Sequence, residues 1–230
     1  MELTVIGSGS SGNCYRVQDG DHTLLLEAGL PFKQMREALG FHLSQLSGCL
    51  VSHSHGDHAK GVKDLLKAGV DCYLHTDTAQ EVGVSGHRVH RLDPLQTVRV
   101  GPFAILPFPL NHDVPNYGYL IARAAHKLVY ITDTFYCRYR FNGVTIFAIE
   151  CNYASDILRT NIQQNVLHAS LGQRIRQTHM SLETVKGFLR ANDLSQVEAI
   201  WLLHLSDKNA DEDRFKREIS ELTGKPTYIA

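Results

Sequence analysis

The stretch that decides the fold and the chemistry of this chain is Val51-Ser52-His53-Ser54-His55-Gly56-Asp57-His58. It directly follows an apolar run that we predict to be a buried strand. His53 and His55 alternate along an extended segment, so both imidazoles can face one side. Asp57 and His58 then open a helix and can serve a second position. Four such donors within six residues are too crowded for one ion but suit two adjacent metal ions.

The array has a simpler interpretation, as a surface histidine tract or as a single structural metal site. A structural zinc site normally has four closed ligands, often cysteine thiolates. The five cysteines are widely spaced, none lies beside the array and none forms a CxxC pair. We therefore favour a catalytic centre with two metals.

Three further candidate ligands, His112, Asp133 and His204, each follow a predicted strand. Active-site groups commonly lie at strand ends, on loops that a rigid sheet holds in place. Taken singly, each could be a hydrogen-bonded loop histidine, a turn residue or a helix cap. After the histidine array, metal ligation becomes the favoured interpretation.

Composition narrows the class of protein. The 230 residues are 43% hydrophobic and 20% charged, as in a folded globular protein, and we predict one domain over residues 1–230. The net charge of −1 argues against a globally basic nucleic-acid binder. No apolar run approaches the ~20 residues of a membrane span. The start of the chain lacks a basic signal segment and the cysteines suit reduced thiols, so we expect a cytoplasmic protein without membrane contact.

Strand-like runs fill the first half of the chain and helical patterns the last third, which predicts a layered α/β arrangement. Asp19-Gly20 predicts a hairpin turn between strands at residues 14–17 and 22–26. Ser181 is a candidate N-cap. Further strands are predicted at residues 3–6, 48–52, 71–74, 97–100, 103–108, 118–121, 127–131, 145–149, 198–203 and 226–229. Helices are predicted at residues 31–38, 60–68, 182–191 and 211–222.

Taken in order, these motifs resemble the metallo-β-lactamase superfamily, and within it the single-domain YycJ/WalJ-like exonuclease branch. The histidine array is typical of the superfamily, and a Glu-x-Asn and two His-x-Ser elements point to the branch. The matching motifs extend over nearly the whole chain, at residues 7–14, 25–29, 53–58, 112–113, 130–134, 149–153, 179–181 and 204–209.

The resemblance implies a four-layer αββα sandwich forming one metallo-β-lactamase-like hydrolase domain. It also implies two divalent metal ions, zinc or manganese, with iron as a further option. The ligands that it assigns to the first metal are His53, His55 and His112. For the second metal they are Asp57, His58 and His204, with Asp133 as the bridging ligand.

The implied activity is that of a phosphodiesterase, a DNA exonuclease in which a metal-bridging hydroxide attacks phosphate in line. Asp57 and Asp133 would orient the hydroxide, and His179 would protonate the leaving oxygen or bind phosphate. Further residues predicted to bind substrate are Ser10, Ser11, Asn13 and Asn152, each of which could instead be a turn residue.

Two positions depart from the family pattern. Glu27 stands where the family usually has an aspartate that supports a ligand histidine, and its extra methylene is expected to shift that support. The second His-x-Ser element reads His179-Met180-Ser181-Leu182, where His-Leu-Ser-Asn is expected. A stretch at residues 138–141, Arg-Tyr-Arg-Phe, interleaves basic and aromatic side chains and is predicted to contact DNA, although a solvated face is the alternative.

Other classes of function remain open at this stage. The same metal site serves phosphodiesterases that act on small cyclic phosphates. Hydrolysis of a thioester or a β-lactam is also available to the fold, since a fold does not fix a function. A non-catalytic metal-binding module is the remaining alternative, and the complete set of seven candidate ligands argues against it. The oligomeric state and the polarity on DNA are left open.

Overall fold

The computed structural model describes every residue of the chain, which forms two compact units. The first unit comprises residues 1–109 and 114–126, and the second comprises residues 110–113 and 127–230. Both units contain strands and helices, as the sequence predicts. That the chain is a single domain stays a prediction.

The first unit contains a six-stranded sheet whose strands lie in sequence order. They are β1 (Glu2–Gly7), β2 (Cys14–Asp19), β3 (His22–Leu26), β4 (Leu46–Leu50), β5 (Cys72–Leu74) and β6 (Val89–Arg91). β1, β2 and β3 are antiparallel, whereas β3 to β6 are parallel. The predicted hairpin is confirmed, because Asp19 pairs with His22 and Gly20 has the positive φ (58°) that such a turn requires.

Three further strands of this unit lie side by side: β7 (Val98–Val100), β8 (Phe103–Leu110) and β9 (Asn116–Arg123). Its helices are α1 (Phe32–Ala38), α2 (Gly56–Ala59), α3 (Val62–Lys67) and α4 (Thr76–Val82), with a 3-10 turn at Leu43–Gln45. The helix predicted at residues 60–68 is confirmed as α3, which is shorter by one or two residues at each end because Gly61 separates it from α2. The N–H of Gly61 donates to Ala28 O at 2.8 Å, and a Cβ there would lie 2.5 Å from Met35 Cε. α4 was not predicted.

The second unit is built on four parallel strands in the order β10 (His126–Ile131), β11 (Ile146–Glu150), β12 (Ala199–Leu203) and β13 (Thr227–Ile229). Their near-continuous apolar sequences are typical of buried parallel strands. Its helices are α5 (Ser155–Gln163), α6 (Ala169–Thr178), α7 (Leu182–Arg190) and α8 (Glu212–Thr223). Ser181 is confirmed as the N-cap of α7, because its Oγ accepts the N–H of Thr184 at 3.1 Å. Every helix of the chain is too short or too polar to cross a bilayer.

The carboxyl ends of β10, β11 and β12 lie at one edge of this parallel sheet. Asp133 follows β10 by two residues, Glu150 is the last residue of β11, and His204 directly follows β12. The topology therefore brings three polar side chains, distant in sequence, to a common edge.

A buried carboxylate joins β2 to the end of β9 in the first unit. Arg123 Nη1 donates to the Asp19 carbonyl oxygen at 2.9 Å and lies 3.1 Å from Asp19 Oδ2. His126 Nδ1 lies 3.3 Å from Asp19 Oδ1. Burial opposes the charged form, but the hydrogen bonds from Arg123 and His126 outweigh it and lower the pKa of Asp19.

We predict that Asp19→Asn lowers the free energy of unfolding by about 1–2 kcal/mol at pH 7. Because the folded-state pKa is lowered, this contribution is present above the unfolded-state pKa of about 3.9 and is lost as the pH falls below it. Urea denaturation should show the same difference at pH 7 and pH 5 and a smaller one at pH 3.5. The exposed Asp21→Asn is the control, and an equal Asp19→Asn effect at every pH would contradict the prediction.

Candidate metal centre

The histidine array of the first unit is packed into a tight cluster just after β4. The His53 and His55 rings lie 4.7 Å apart, and the His53 and His58 rings 4.2 Å apart. The Oγ of Ser52 lies 2.9 Å from His53 Nδ1. Since Nδ1 faces this hydroxyl, Nε2 is the nitrogen through which His53 would bind a metal ion.

Glu27 lies behind this cluster and is fully buried. Its Oε2 accepts the N–H of Ser52 at 3.2 Å and lies 3.5 Å from His58 Nδ1. On the other side of the ring, His58 Nε2 lies 3.5 Å from Asp57 Oδ2. The longer carboxylate at this position therefore stands beside a predicted ligand histidine, at ion-pair distance.

The backbone of the array is held by two segments, the residue just before β2 and the residues that follow β3. Asn13 N donates to Asp57 O at 2.7 Å, and Ala28 N donates to His58 O at 2.8 Å. Gly29 packs so closely against this backbone that a Cβ on it would lie 1.7 Å from Asp57 O. Asn13 and the motif at residues 25–29 thus position Asp57 and His58 through main-chain contacts.

The glycine- and serine-rich turn after β1 contains three predicted substrate-binding residues. Ser10 and Ser11 are exposed, and Lys60 Nζ donates to Ser11 O at 2.8 Å. Asn13 is fully buried; its Oδ1 accepts the N–H of Gly9 at 2.9 Å and its Nδ2 donates to Gly9 O at 3.1 Å. The amide of Asn13 therefore braces the turn, and its role in substrate binding stays a prediction.

The second unit gathers another group of donors at the edge of its parallel sheet. One donor atom from each of Asp133, Glu150, His179 and His204 lies within 4.8 Å of the others. His112 Nε2 lies 3.8 Å from Asp133 Oδ2, and His204 Nδ1 lies 3.6 Å from Asp133 Oδ1. The three ligands predicted for this part of the chain are thus close together.

Two of these residues have an uncommon left-handed backbone, with φ of 49° at Asp133 and 54° at His204. Thr132 Oγ1 donates to Asp133 Oδ1 at 2.8 Å. Asn152 Nδ2 donates to the carbonyl oxygen of His204 at 2.8 Å. Outliers held in place by local hydrogen bonds are typical of functional sites. Asn152 thereby fixes a predicted ligand, and its contact with substrate stays a prediction.

Glu150 is the residue of this cluster that the sequence did not assign. Its Oε1 is contacted by Nδ1 of His179 and, at 3.3 Å, by Nδ1 of His204. Its Oε2 accepts the N–H groups of Thr134 at 3.0 Å and Met180 at 3.4 Å. One carboxylate therefore orients two imidazoles through their Nδ1 atoms. The signal that could have revealed it is a lone acidic residue ending an otherwise apolar strand.

The opposite charges of Glu150 and His179 stabilise each other. Burial opposes ionisation of Glu150, but the facing His179 outweighs it and lowers the pKa of the carboxyl. Burial likewise opposes the charged His179, but Glu150 outweighs it and raises the pKa of the imidazole. The two groups thus favour an ionised carboxylate beside a protonated imidazole.

The donors of both clusters are imidazole nitrogens and carboxylate oxygens, without thiolates. That set suits zinc, manganese or iron. Buried imidazoles whose Nδ1 atoms face a carboxylate or hydroxyl have the arrangement typical of metal-binding histidines. By donor chemistry and orientation, the residues present fit divalent metal ions.

The structure corrects the prediction that residues 138–141 present their aromatic rings to DNA. Phe141 is buried, its ring lies 6.4 Å from that of Phe188, and its N–H donates to Asn192. The exposed aromatic side chains of this region lie upstream, at Phe135 and Tyr136. The alternation of basic and aromatic residues in the sequence did not reveal that α7, distant in sequence, covers the ring of Phe141.

Comparisons with known proteins agree with this picture. The model of the beta-lactamase superfamily domain matches residues 22–205. The exodeoxyribonuclease WalJ of Streptococcus pneumoniae is 28% identical, over 91% of this chain and 83% of its own length. The exodeoxyribonuclease YycJ of Bacillus anthracis is 27% identical, over 96% of this chain and 89% of its own length.

Among solved structures, the metallo-β-lactamase fold protein YhfI from Bacillus subtilis superposes with a TM-score of 0.76. It is 21% identical and the match covers 99% of this chain and 95% of that protein. At this identity the likeness concerns the fold. The predicted α/β fold class of the metallo-β-lactamase type is confirmed.

We predict that Gly29→Ala lowers the free energy of unfolding by more than about 3 kcal/mol, because the added Cβ collides with main-chain atoms that have no room to move. Metal content after purification should fall as well, since Asp57 is displaced. Chemical denaturation and elemental analysis check both effects. Gly187→Ala is the matched control: it lies within α7 with open space around it and should stabilise slightly. Equal behaviour of the two variants would contradict this close packing.

Proposed function

The chain belongs to the beta-lactamase superfamily, and on that premise we propose that it is a DNA exonuclease that uses two divalent metal ions. It is a metal-dependent hydrolase by family. The finer proposal rests on one observation above the others: the two side-chain clusters contain all seven of the predicted metal ligands. The relatives named exodeoxyribonucleases, which match along nearly the whole chain, support DNA as the substrate.

We assign the ligands as the resemblance implies. The three proposed for the first ion are His53, His55 and His112. The three proposed for the second ion are Asp57, His58 and His204, and Asp133 is proposed to bind both. When bound, two such ions supply Lewis acidity that acidifies water and neutralises phosphate charge. Whether the ions are zinc, manganese or iron is a matter of supply as much as of ligand chemistry.

The chain's own residues then divide the remaining work. The carboxylates of Asp57 and Asp133 accept hydrogen bonds from the attacking water and orient it toward phosphorus. As the bond from phosphorus to the leaving oxygen breaks, His179 donates a proton from Nε2 to that oxygen. Glu150 holds the opposite side of the ring through Nδ1, and so fixes its direction and favours its protonated form.

Substrate binding is proposed to be local, because the net charge of −1 provides no general attraction for DNA. A local positive charge lies near the proposed ligand His112. The Arg174 side chain is exposed, and its Nη2 lies 3.1 Å from Oδ2 of Asp113, the residue after His112. The hydroxyls of Ser10 and Ser11 are proposed as phosphate donors on the other unit. A cytoplasmic location remains part of the proposal; the cysteines are all free and buried.

We expect metal-stripped protein to be inactive on end-labelled single- and double-stranded DNA, and to release nucleotides after zinc, manganese or iron is added back. Asp133→Ala and His58→Ala should each lower kcat by at least about 10³-fold. Elemental analysis should give two metals per chain in the parent and fewer in both variants. His87→Ala, an exposed histidine outside the clusters, is the control. Cleavage of a cyclic nucleotide but not of DNA would favour the small-molecule alternative, and full activity of Asp133→Ala would refute the two-metal proposal.

A second experiment separates proton donation by His179 from a structural role. His179→Ala should lower kcat on DNA by about 10²- to 10⁴-fold, the usual contribution of a general acid. On thymidine 5′-(4-nitrophenyl phosphate), whose nitrophenolate leaves without a proton, the loss should be less than about tenfold. An equal loss on both substrates would show that His179 does not act on the leaving group.

A further inference from the structure

Two exposed aromatic side chains stand next to the donor cluster of the second unit. Phe135 and Tyr136 are each 44% exposed, which is unusual for rings of this size. The residues on either side, Thr134 and Cys137, are buried. The chain thus holds its small side chains inside and presents both large rings to solvent.

The segment that carries the rings is firmly anchored. Thr134 N donates to Glu150 Oε2 at 3.0 Å, and Thr134 Oγ1 donates to the Tyr136 carbonyl oxygen at 3.0 Å. The N–H of Asn111 donates to Thr134 Oγ1 at 3.2 Å. The carboxylate that fixes the ring segment is therefore the one that orients His179 and His204.

The rings are also close to the proposed metal ligand Asp133. Phe135 follows Asp133 by two residues, so their Cα atoms are separated by at most about 7 Å. Tyr136 lies one residue further on. This distance is comparable to the spacing between neighbouring nucleotides in an extended strand, so a base beside the reacting phosphate is within reach of the rings.

The neighbouring charges indicate what covers the rings. Arg138 and Arg140 are exposed directly downstream, and Arg138 lies 5.2 Å above the centre of the Tyr139 ring. Exposed aromatic rings beside guanidinium groups are the combination that binds single-stranded nucleic acid, because bases stack on the rings while phosphates meet the cations. A purely apolar partner surface would leave the two guanidinium groups without counter-charges.

We propose that Phe135 and Tyr136 form a stacking surface for an unpaired base next to the phosphate that is cleaved. The pair would select strand ends whose terminal base is free to leave the duplex stack. This inference rests on the proposed function, because it takes Asp133 as a ligand at the reacting phosphate.

The test measures stacking directly, with metal-loaded protein and single-stranded DNA carrying 2-aminopurine at the 5′ or the 3′ terminal nucleotide. Phosphorothioate linkages slow hydrolysis during the titration. Binding to the parent protein should quench the fluorescence of one of the two probes. The double variant Phe135→Ala/Tyr136→Ala should lose the quenching and bind about tenfold more weakly. Tyr136→Phe, which keeps the ring, should behave as the parent.

Two controls define the contact. Phe41→Ala removes another exposed phenylalanine and should change neither quenching nor affinity. A probe with an abasic terminal nucleotide should bind the parent and the double variant equally. Unchanged quenching in the double variant, or an equal loss of affinity for the abasic probe, overturns the inference and points to a protein partner or a packing role for the rings.

The outcome is distinguishable from that of the proposed function. If the parent does not hydrolyse DNA but the quenching depends on the two rings, the exonuclease proposal fails and the stacking surface stands. If the parent hydrolyses DNA and the double variant quenches as strongly as the parent, the stacking surface alone is refuted.

Discussion

The ionised carboxylate of Glu150 is the constraint on which the second unit depends. A buried charge costs several kcal/mol unless hydrogen bonds and an opposite charge compensate it. Here two main-chain N–H groups and two imidazoles do so, and they come from the loops after β10 and β12 and from the link between α6 and α7. Satisfying one carboxylate therefore fixes the relative positions of three loops, and with them Asp133, His179 and His204.

The first unit also positions its donor residues around a buried carboxylate. Glu27, also fully buried at the end of a strand, accepts a main-chain N–H and lies beside an imidazole Nδ1, that of His58. The two units differ in how the remaining donors are aligned. In the second unit the hydrogen bonds are made to the carboxylate oxygens of Glu150. In the first unit main-chain hydrogen bonds and the tight fit of Gly29 align the histidine array. In both units a buried carboxylate faces the Nδ1 atom of an imidazole, an arrangement that is common behind ligand histidines.

The sequence predicted the features that local pattern controls. Buried parallel strands, the hairpin at Gly20, the Ser181 cap and the donor residues at strand ends follow from apolar runs, turn residues and spacing. α5 and α6 were missed because their sequences are largely polar and only one face of each is covered. Glu150 and Phe141 were misjudged for a different reason: their roles depend on residues 29 and 47 positions away, which no local pattern reveals.

The departures from the family pattern become understandable once side-chain and main-chain contacts are separated. Methionine replaces the expected leucine at position 180, yet Met180 acts on the site through its main chain alone: its N–H donates to Glu150 and its carbonyl accepts the N–H of Asn152. Its side chain is fully buried, where methionine and leucine are nearly interchangeable in volume. Position 180 is thus free to vary among apolar residues of similar size. His179 and Ser181 are constrained differently, since their contacts with Glu150 and the α7 N-terminus are made by side-chain atoms.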